Sequence, residues 1–265
     1  MPLYRDEAVV LRTHKLGEAD RIITLLTRQH GRVRAVARGV RRTKSRWGSR
    51  LEPFTHVDLQ LAEGRNLDTI TQADTLAPFA AGVGLDYDRY TAGTVMLETA
   101  ERLVTEEKEP AVQQFLLLVG GLRAMTGGER APGHVLDSYL LRSLAVAGYA
   151  PSFLYCAGCG IEGPHRYFSN AAGGVLCVTC RVPGCATPAY STLRLLAALL
   201  AGDWPEVEQI TTSEPRTERE GSGLVASYLH WHLERDLRSL PYVDRSRPRA
   251  ATARVSPRPD DPERC

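Results

Sequence analysis

Four cysteines with a regular spacing offer the clearest candidate chemistry in the chain. Cys156 and Cys159 form one C-x-x-C pair, Cys177 and Cys180 form a second, and seventeen residues separate the two pairs. Each pair can present two thiolates from a tight turn, and a medium loop can bring both turns to one tetrahedral Zn²⁺. Because four thiolates close the coordination shell, we expect one structural zinc per chain rather than a catalytic one.

Other interpretations of the cysteines remain open, namely buried reduced thiols or two disulfides. Disulfides are disfavoured in a cytoplasmic chain, and neither pair has the βαβ setting of a redox motif. A zinc deaminase needs His-x-Glu upstream and Pro directly before its cysteine pair. Here His232-Leu233-Glu234 lies downstream, and Tyr155 precedes Cys156. We expect the nearby Cys185 and His165 to be spectators.

A second candidate site is a segment near the N-terminus that carries charge of one sign. Between residues 21 and 50 the chain has ten basic side chains and no Asp or Glu. A patch of this kind on a rigid sheet attracts a polyanion, so we predict a nucleic-acid-binding surface. The ten basic residues are Arg21, Arg28, Arg32, Arg34, Arg38, Arg41, Arg42, Lys44, Arg46 and Arg50. The predicted contact residues are the same set with Trp47 in place of Arg28.

The spacing within this segment suggests how it would be used. Arg32, Arg34 and Arg38 share the parity of one strand face, so their guanidinium groups should form a row. Trp47 could stack on an unpaired base or pack into the sheet beside Phe54. A solvated face is the alternative for the arginines, but cations without a counter-charge repel one another and contribute no stability.

The elements that must position the basic segment are short strands. Apolar runs rich in β-branched residues, separated by turn signals, indicate five of them, and Thr55 to Ala62 alternates most cleanly between apolar and polar residues. This pattern predicts a small barrel or sandwich within residues 1–80, for which a five-stranded oligonucleotide-binding (OB) barrel is the leading candidate. The predicted strands cover residues 8–14, 21–28, 32–40, 55–62 and 67–76.

The apolar spacing changes to a helical period from Asp86 onward, after an interdomain joint at Gly82-Val83-Gly84. Helices are predicted from Asp86, from near Pro110, over 135–147, over 191–202 with Ser191 as N-cap, and over 224–240. The fold class is therefore α+β and multidomain. Residues 81–242 form a mainly helical domain with a zinc-binding segment at 153–188, and 243–265 form a disordered basic tail rich in Pro and Arg.

Composition limits the remaining classes of function. Residues 1–80 hold 14 basic and 9 acidic side chains, whereas residues 81–240 hold 13 and 18, so the two parts should have different partners. The sequence lacks an apolar run long enough for a membrane helix and lacks a signal-peptide core, which predicts a cytoplasmic protein. It also lacks a nucleophile with a matched base, paired carboxylates or a phosphate-binding glycine loop, so we do not expect an enzyme.

Ordered landmarks in both parts of the chain resemble the bacterial recombination mediator family RecO. In the N-terminal part they are residues 7–11, 18–27 and 37–42, with Gly31, Ser45 and residues 51–54. In the C-terminal part they are residues 148–151, Phe168 and the four paired cysteines. The similarity covers about residues 3 to 240.

The resemblance implies an OB barrel, a helical domain and a zinc site. It also implies binding of single- and double-stranded DNA, annealing of complementary strands and partnership with the RecR ring. By the same resemblance, the protein helps the RecA recombinase to replace single-strand binding protein (SSB), whose acidic tail the helical domain receives. The residues alone leave two alternatives open: an RNA- or ribosome-associated zinc protein, and a non-catalytic protein adaptor.

Overall fold

The computed structural model describes residues 2–45, 47–233 and 237–243. Within them, the first five strands close into a barrel, and the rest of the chain is mainly helical. The barrel strands are β1 (Leu3–Leu16), β2 (Asp20–Thr27), β3 (Gly31–Ala37), β4 (Thr55–Ala62) and β5 (Asp68–Pro78).

The barrel has the strand order β1-β2-β3-β5-β4, in which β4 pairs with β1. All neighbouring strands are antiparallel except β3 and β5, which run parallel where Ala35 faces Asp68. Five strands closed in this way form the predicted OB barrel, so the fold class is confirmed. Strand β4 has the predicted limits, whereas β3 ends at Ala37 instead of Val40 because the chain turns at Gly39, which has a φ of 67°.

Strand β1 explains why Ala8 to Leu11 is continuously apolar. Ala8 and Val10 lie in the core inside the barrel, whereas Val9 and Leu11 belong to a larger core shared with the helices. Alternate side chains of a strand point to opposite faces, so a strand covered on both faces loses its polar positions. The helical part therefore packs directly on the outside of the barrel.

Seven helices follow the barrel within the described residues, together with a two-stranded ribbon and a 3₁₀ turn at Leu240–Tyr242. The ribbon, β6 (Tyr167–Ser169) and β7 (Gly174–Leu176), lies between α4 and α5. The helices are α1 (Phe79–Val83), α2 (Tyr87–Leu103), α3 (Val112–Gly127), α4 (Pro132–Val146), α5 (Tyr190–Ala201), α6 (Trp204–Ser213) and α7 (Arg216–His232).

The helix ends show where local signals hold and where they fail. Asp86 is the N-cap of α2 and accepts the backbone N–H of Arg89 at 2.8 Å. The prediction that Ser191 caps α5 is wrong, because Ala189 is the N-cap and the Ser191 hydroxyl donates to Glu214 at 2.7 Å. A tertiary partner has replaced the local one.

The last two long helices differ most from the predicted limits. The sequence did not predict α6, whose start is marked by Asp203, which accepts the N–H of Glu206, and by a proline in the first turn. Helix α7 spans Arg216–His232 rather than residues 224–240. Its first two turns are largely polar, so the apolar period detects only the second half. The predicted basic tail at 243–265 lies almost entirely outside the described residues.

The connection between α2 and α3 runs along the barrel, and we call residues 104–111 the strap. The Lys108 N–H donates to the Arg32 carbonyl at 3.1 Å, and the Lys108 ammonium donates to Asp68 at 3.2 Å. Gly31 sits beneath the strap with a φ of 58°, where an added Cβ would lie 1.7 Å from the Glu109 carbonyl oxygen. Position 31 therefore needs glycine for both its conformation and its space.

Gly31→Ala should destabilise the protein more than Gly17→Ala. Both glycines have a positive φ near 57°, but a Cβ at Gly17 would meet no atom within 4 Å. The Gly17 variant should lose about 1 kcal/mol from backbone strain alone, whereas the Gly31 variant should lose about 2 to 4 kcal/mol because the strap must also move. Chemical denaturation measures both values. Equal losses would contradict the close contact between strap and barrel.

Candidate nucleic-acid interface and metal centre

The connection from β3 to β4 carries most of the predicted contact residues, and we call residues 38–50 the basic loop. Its first turns are held against the β1–β2 turn by hydrogen bonds that the backbone N–H groups of the loop donate. The Gly39 N–H donates to the Asp20 carboxylate at 2.7 Å, and the Arg41 N–H donates to the Ala19 carbonyl at 2.9 Å. The Arg41 guanidinium donates to the Gly17 and Glu18 carbonyls. These carbonyls hold the side chain without neutralising its charge.

Trp47 fixes the middle of the basic loop. Its side chain lies in the core inside the barrel with 3% of its surface exposed, and the indole N–H donates to the Arg38 carbonyl at 3.0 Å. Of the two placements expected for Trp47, the structure has the buried one, although Phe54 belongs to the other core. Stacking on a base would require the indole to leave the core. Trp47 therefore anchors the loop in this structure, and a contact between Trp47 and nucleic acid stays a prediction.

Three cations of the basic loop face solvent without a counter-charge. Arg38, Arg42 and Lys44 are exposed, and none has a carboxylate within 4.0 Å among the described residues. Arg38 lies in the turn after β3, so it does not continue the row of Arg32 and Arg34 as predicted. Arg50 is also exposed, and Arg46 lies outside the described residues.

The prediction of ten cations without counter-charge is wrong for four of them. The Arg21 guanidinium lies 2.6 Å from the Glu52 carboxylate, and that of Arg28 lies 3.4 Å from Glu7. On β3, the guanidinium groups of Arg32 and Arg34 lie 3.7 and 3.9 Å from the Glu107 carboxylate of the strap. The partners come from outside the basic segment, so a count within residues 21–50 could not include them. The uncompensated charge is concentrated in the basic loop.

The four paired cysteines meet at one point. Their sulfur atoms all lie within 4.8 Å of one another, and Cys159 Sγ is 3.8 Å from Cys177 Sγ. The β6–β7 ribbon positions the second pair, because Cys177 follows the last residue of β7. Gly158 in the first pair leaves room for the second, since an added Cβ would lie 3.2 Å from Cys180 Sγ. The four side chains form a possible metal site.

The thiols of this cluster have divergent acidities. A hydrogen bond from the Cys177 backbone N–H, at 3.3 Å, is the main cause that lowers the pKa of Cys156 to about 6. Hydrogen bonding to the Cys159 and Cys177 side chains raises the pKa of Cys180 to about 12. Without a cation, four adjacent sulfurs cannot all ionise, because each thiolate disfavours the next. A bound cation would remove that conflict.

The neighbouring candidate ligands are not in the cluster. Cys185 is not part of the group of four sulfurs, and a His165 ring nitrogen lies 2.8 Å from the Ile161 carbonyl. That both residues are spectators stays a prediction. All five described cysteines are free, so the two-disulfide alternative is not present.

Two family models match the chain along most of its length. Recombination protein O N terminal matches residues 1–79, and Recombination protein O C terminal matches residues 84–241. The chain belongs to the Recombination protein O (RecO) family. It is 74% identical over 246 residues to the DNA repair protein RecO of a Nocardioides species, which covers 92% of this chain and all of that protein. The proteins of the same name in Streptomyces avermitilis and Thermobifida fusca are 64% and 58% identical, over 92% and 93% of this chain and all of each relative.

This RecO family member also has a groove that the sequence did not reveal. The groove has a volume of about 550 Å³ and lies between α3 and α4, where Leu116, Val135 and Leu200 are among its apolar lining residues. Arg130 and Arg142 also line it, and the Arg130 guanidinium stacks over the Trp204 ring at 4.4 Å. The groove combines apolar surface with two cations. Sequence periodicity could not find it because its lining comes from several segments.

None of the described helices is long and apolar enough to cross a lipid bilayer.

Proposed function

We propose that this RecO family member is a DNA repair mediator that binds single- and double-stranded DNA and anneals complementary strands. The observation that carries the proposal is the basic loop, on which Arg38, Arg42 and Lys44 face solvent with no carboxylate partner from residues 2–45, 47–233 or 237–243. A fixed cationic surface on an OB barrel suits a phosphate backbone. Arg41 and Arg50 extend the proposed surface, and contacts by Arg21 and Arg46 remain predictions.

Annealing by such a surface requires no covalent step. Two complementary strands repel each other through their phosphates, and a shared cationic surface lets both approach while their bases pair. Contacts to phosphate carry no sequence information, which suits a mediator that acts on any sequence. The burial of Trp47 fits this role, because the loop is held in place before DNA arrives.

The proposed partners are SSB, the RecR ring and, indirectly, the RecA recombinase. We place the acidic tail of SSB in the groove between α3 and α4, because its apolar lining with Arg130 and Arg142 suits a short peptide with apolar and acidic residues. RecR and RecA follow from family membership. Acting on DNA in the cytoplasm, the protein would help to load recombinase onto SSB-coated strands.

The four clustered cysteines fit a structural Zn²⁺. Zinc bound by four sulfurs at about 2.3 Å in a tetrahedron implies sulfur atoms about 3.8 Å apart. The distance of 3.8 Å between Cys159 Sγ and Cys177 Sγ agrees with that value, and all four sulfur atoms lie within 4.8 Å of one another. Cys156, Cys159, Cys177 and Cys180 would hold the ion, which would brace the two turns at residues 156–160 and 177–181. No reaction step involves it.

Reversing the uncompensated cations should abolish most DNA binding. The triple variant Arg38→Glu, Arg42→Glu and Lys44→Glu should bind a single-stranded oligonucleotide about a hundredfold more weakly or worse, since each lost contact is charge-assisted. A triple reversal at Arg65, Arg166 and Arg216 makes the same change in net charge at exposed positions elsewhere. Fluorescence anisotropy measures both affinities. Equal losses in the two variants would show a response to net charge and would contradict the site.

Charge reversal in the groove should weaken binding of the SSB tail peptide and leave DNA binding unchanged. Arg130→Glu and Arg142→Glu should each weaken binding of a peptide with the acidic SSB tail about tenfold or more, because a charged hydrogen bond contributes about 1.5 to 3 kcal/mol. Arg123→Glu on the exposed side of α3 is the control. Titration calorimetry gives the affinities, and unchanged peptide binding would place the tail elsewhere.

Metal analysis should find one zinc per chain. Cys180→Ser should lose the ion and lower the unfolding temperature, since binding of a structural metal contributes directly to folding. Cys185→Ser should keep both the ion and the stability. Mass spectrometry of the metal content distinguishes these outcomes, and a Cys180→Ser protein with full zinc content would contradict the ligand set.

A further inference from the structure

The carboxylate of Glu107 sits on the two arginines of β3. It lies 3.7 Å from the Arg32 guanidinium and 3.9 Å from that of Arg34. Glu107 belongs to the strap, and its backbone forms isolated β-bridges with Gly31 and Arg32. An acidic residue from the helical part therefore covers a cationic pair on the barrel.

Glu107 offsets only one of the two positive charges of the pair and does not saturate its hydrogen-bond donors. Both distances exceed the range of an N–H to oxygen hydrogen bond. Arg32 uses one terminal nitrogen to donate to the Thr105 carbonyl at 2.6 Å, but its buried Nε has no hydrogen-bond partner in the part of the chain that the structure describes. A buried guanidinium N–H without an acceptor is unfavourable. An anion that accepts hydrogen bonds from the guanidinium groups would therefore bind the two arginines better than the Glu107 carboxylate does.

We infer that Arg32 and Arg34 form a phosphate site that Glu107 occupies while no DNA is bound, and that a backbone phosphate displaces Glu107. This inference rests on the proposed function. A phosphodiester has two free oxygen atoms that match the donors of two guanidinium groups. Arg34 precedes Arg38 by four residues, and β3 ends between them, so their Cα atoms are at most about 13 Å apart and one DNA strand can reach this site and the basic loop together.

The strap can release the arginines without leaving the barrel. Its backbone is held by the hydrogen bond from the Lys108 N–H to Arg32, and the Lys108 ammonium lies 3.2 and 3.6 Å from the carboxylates of Asp68 and Glu63. The Glu107 side chain is 41% exposed and can rotate into solvent. Exposed ion pairs of this kind are weak and screened by salt, so phosphate can compete.

The test compares Glu107→Gln with Glu106→Gln. The two residues are adjacent and exposed, and the changes in charge are identical, but Glu106 has no ion pair among the described residues. At low salt, Glu107→Gln should bind a labelled oligo-dT strand about two- to fivefold more tightly than Glu106→Gln does, the range expected from loss of one exposed ion pair. Equal affinities would overturn the inference, because only general repulsion would then have been removed.

A second background separates competition from other effects. In a chain carrying Arg32→Gln and Arg34→Gln, Glu107→Gln should no longer tighten binding relative to Glu106→Gln. A gain that persists there would overturn the inference. The unfolding temperature of Glu107→Gln should also stay close to that of the unmodified chain. A fall of many degrees with no gain in affinity would make Glu107 a structural latch and would overturn it as well.

The inference and the proposed function can fail separately. If reversal of the basic loop does not weaken DNA binding, the proposed site is wrong whatever Glu107 does. If that reversal abolishes binding but Glu107→Gln and Glu106→Gln bind DNA equally well, the basic loop binds DNA and the inference of a phosphate site on β3 is wrong.

Discussion

One electrostatic constraint underlies the rest of the structure, namely positive charge that the fold holds in place and does not neutralise. Carboxylates on the barrel and the strap pair with the arginines of β2 and β3, but no carboxylate in the described part of the chain lies within 4.0 Å of Arg38, Arg42 or Lys44. Trp47 keeps these cations together because its buried indole is bonded to the backbone of Arg38. Mutual repulsion would spread them on a mobile chain, so the buried anchor has a cost that phosphate binding can offset.

The barrel and the helical part of the molecule are in contact near these cations. The helices cover the outer residues of β1 and β2, and the strap then brings Glu107 to the arginines of β3. The same packing that buries apolar surface thus divides the cations into two sets. Those of β2 and β3 lie near carboxylates, and those of the basic loop face solvent. The cysteine cluster lies in a different segment and makes a separate contribution, namely a site with four adjacent sulfurs that cannot all ionise without a cation.

Much of the fold could be predicted from local patterns, and most of the features that were not predicted have a common cause. The alternation at Thr55 to Ala62 and the two C-x-x-C pairs are local signals, and the barrel and cysteine cluster match them. The burial of Trp47, the pairing of Arg32 with Glu107 and the cap of α5 each depend on residues distant in sequence. The predicted range of helix α7 begins eight residues too late, because the polar first half of the helix carries little apolar periodicity.

The salt dependence of single-strand binding tests the central claim most directly. If three to five phosphates are neutralised, a plot of the logarithm of affinity against the logarithm of salt concentration should be linear with a slope of about −2 to −3.5. Such a slope would reflect release of counterions by a small set of open cations. A slope near zero would mean that binding does not use phosphate charge, and the role given to the basic loop would be wrong.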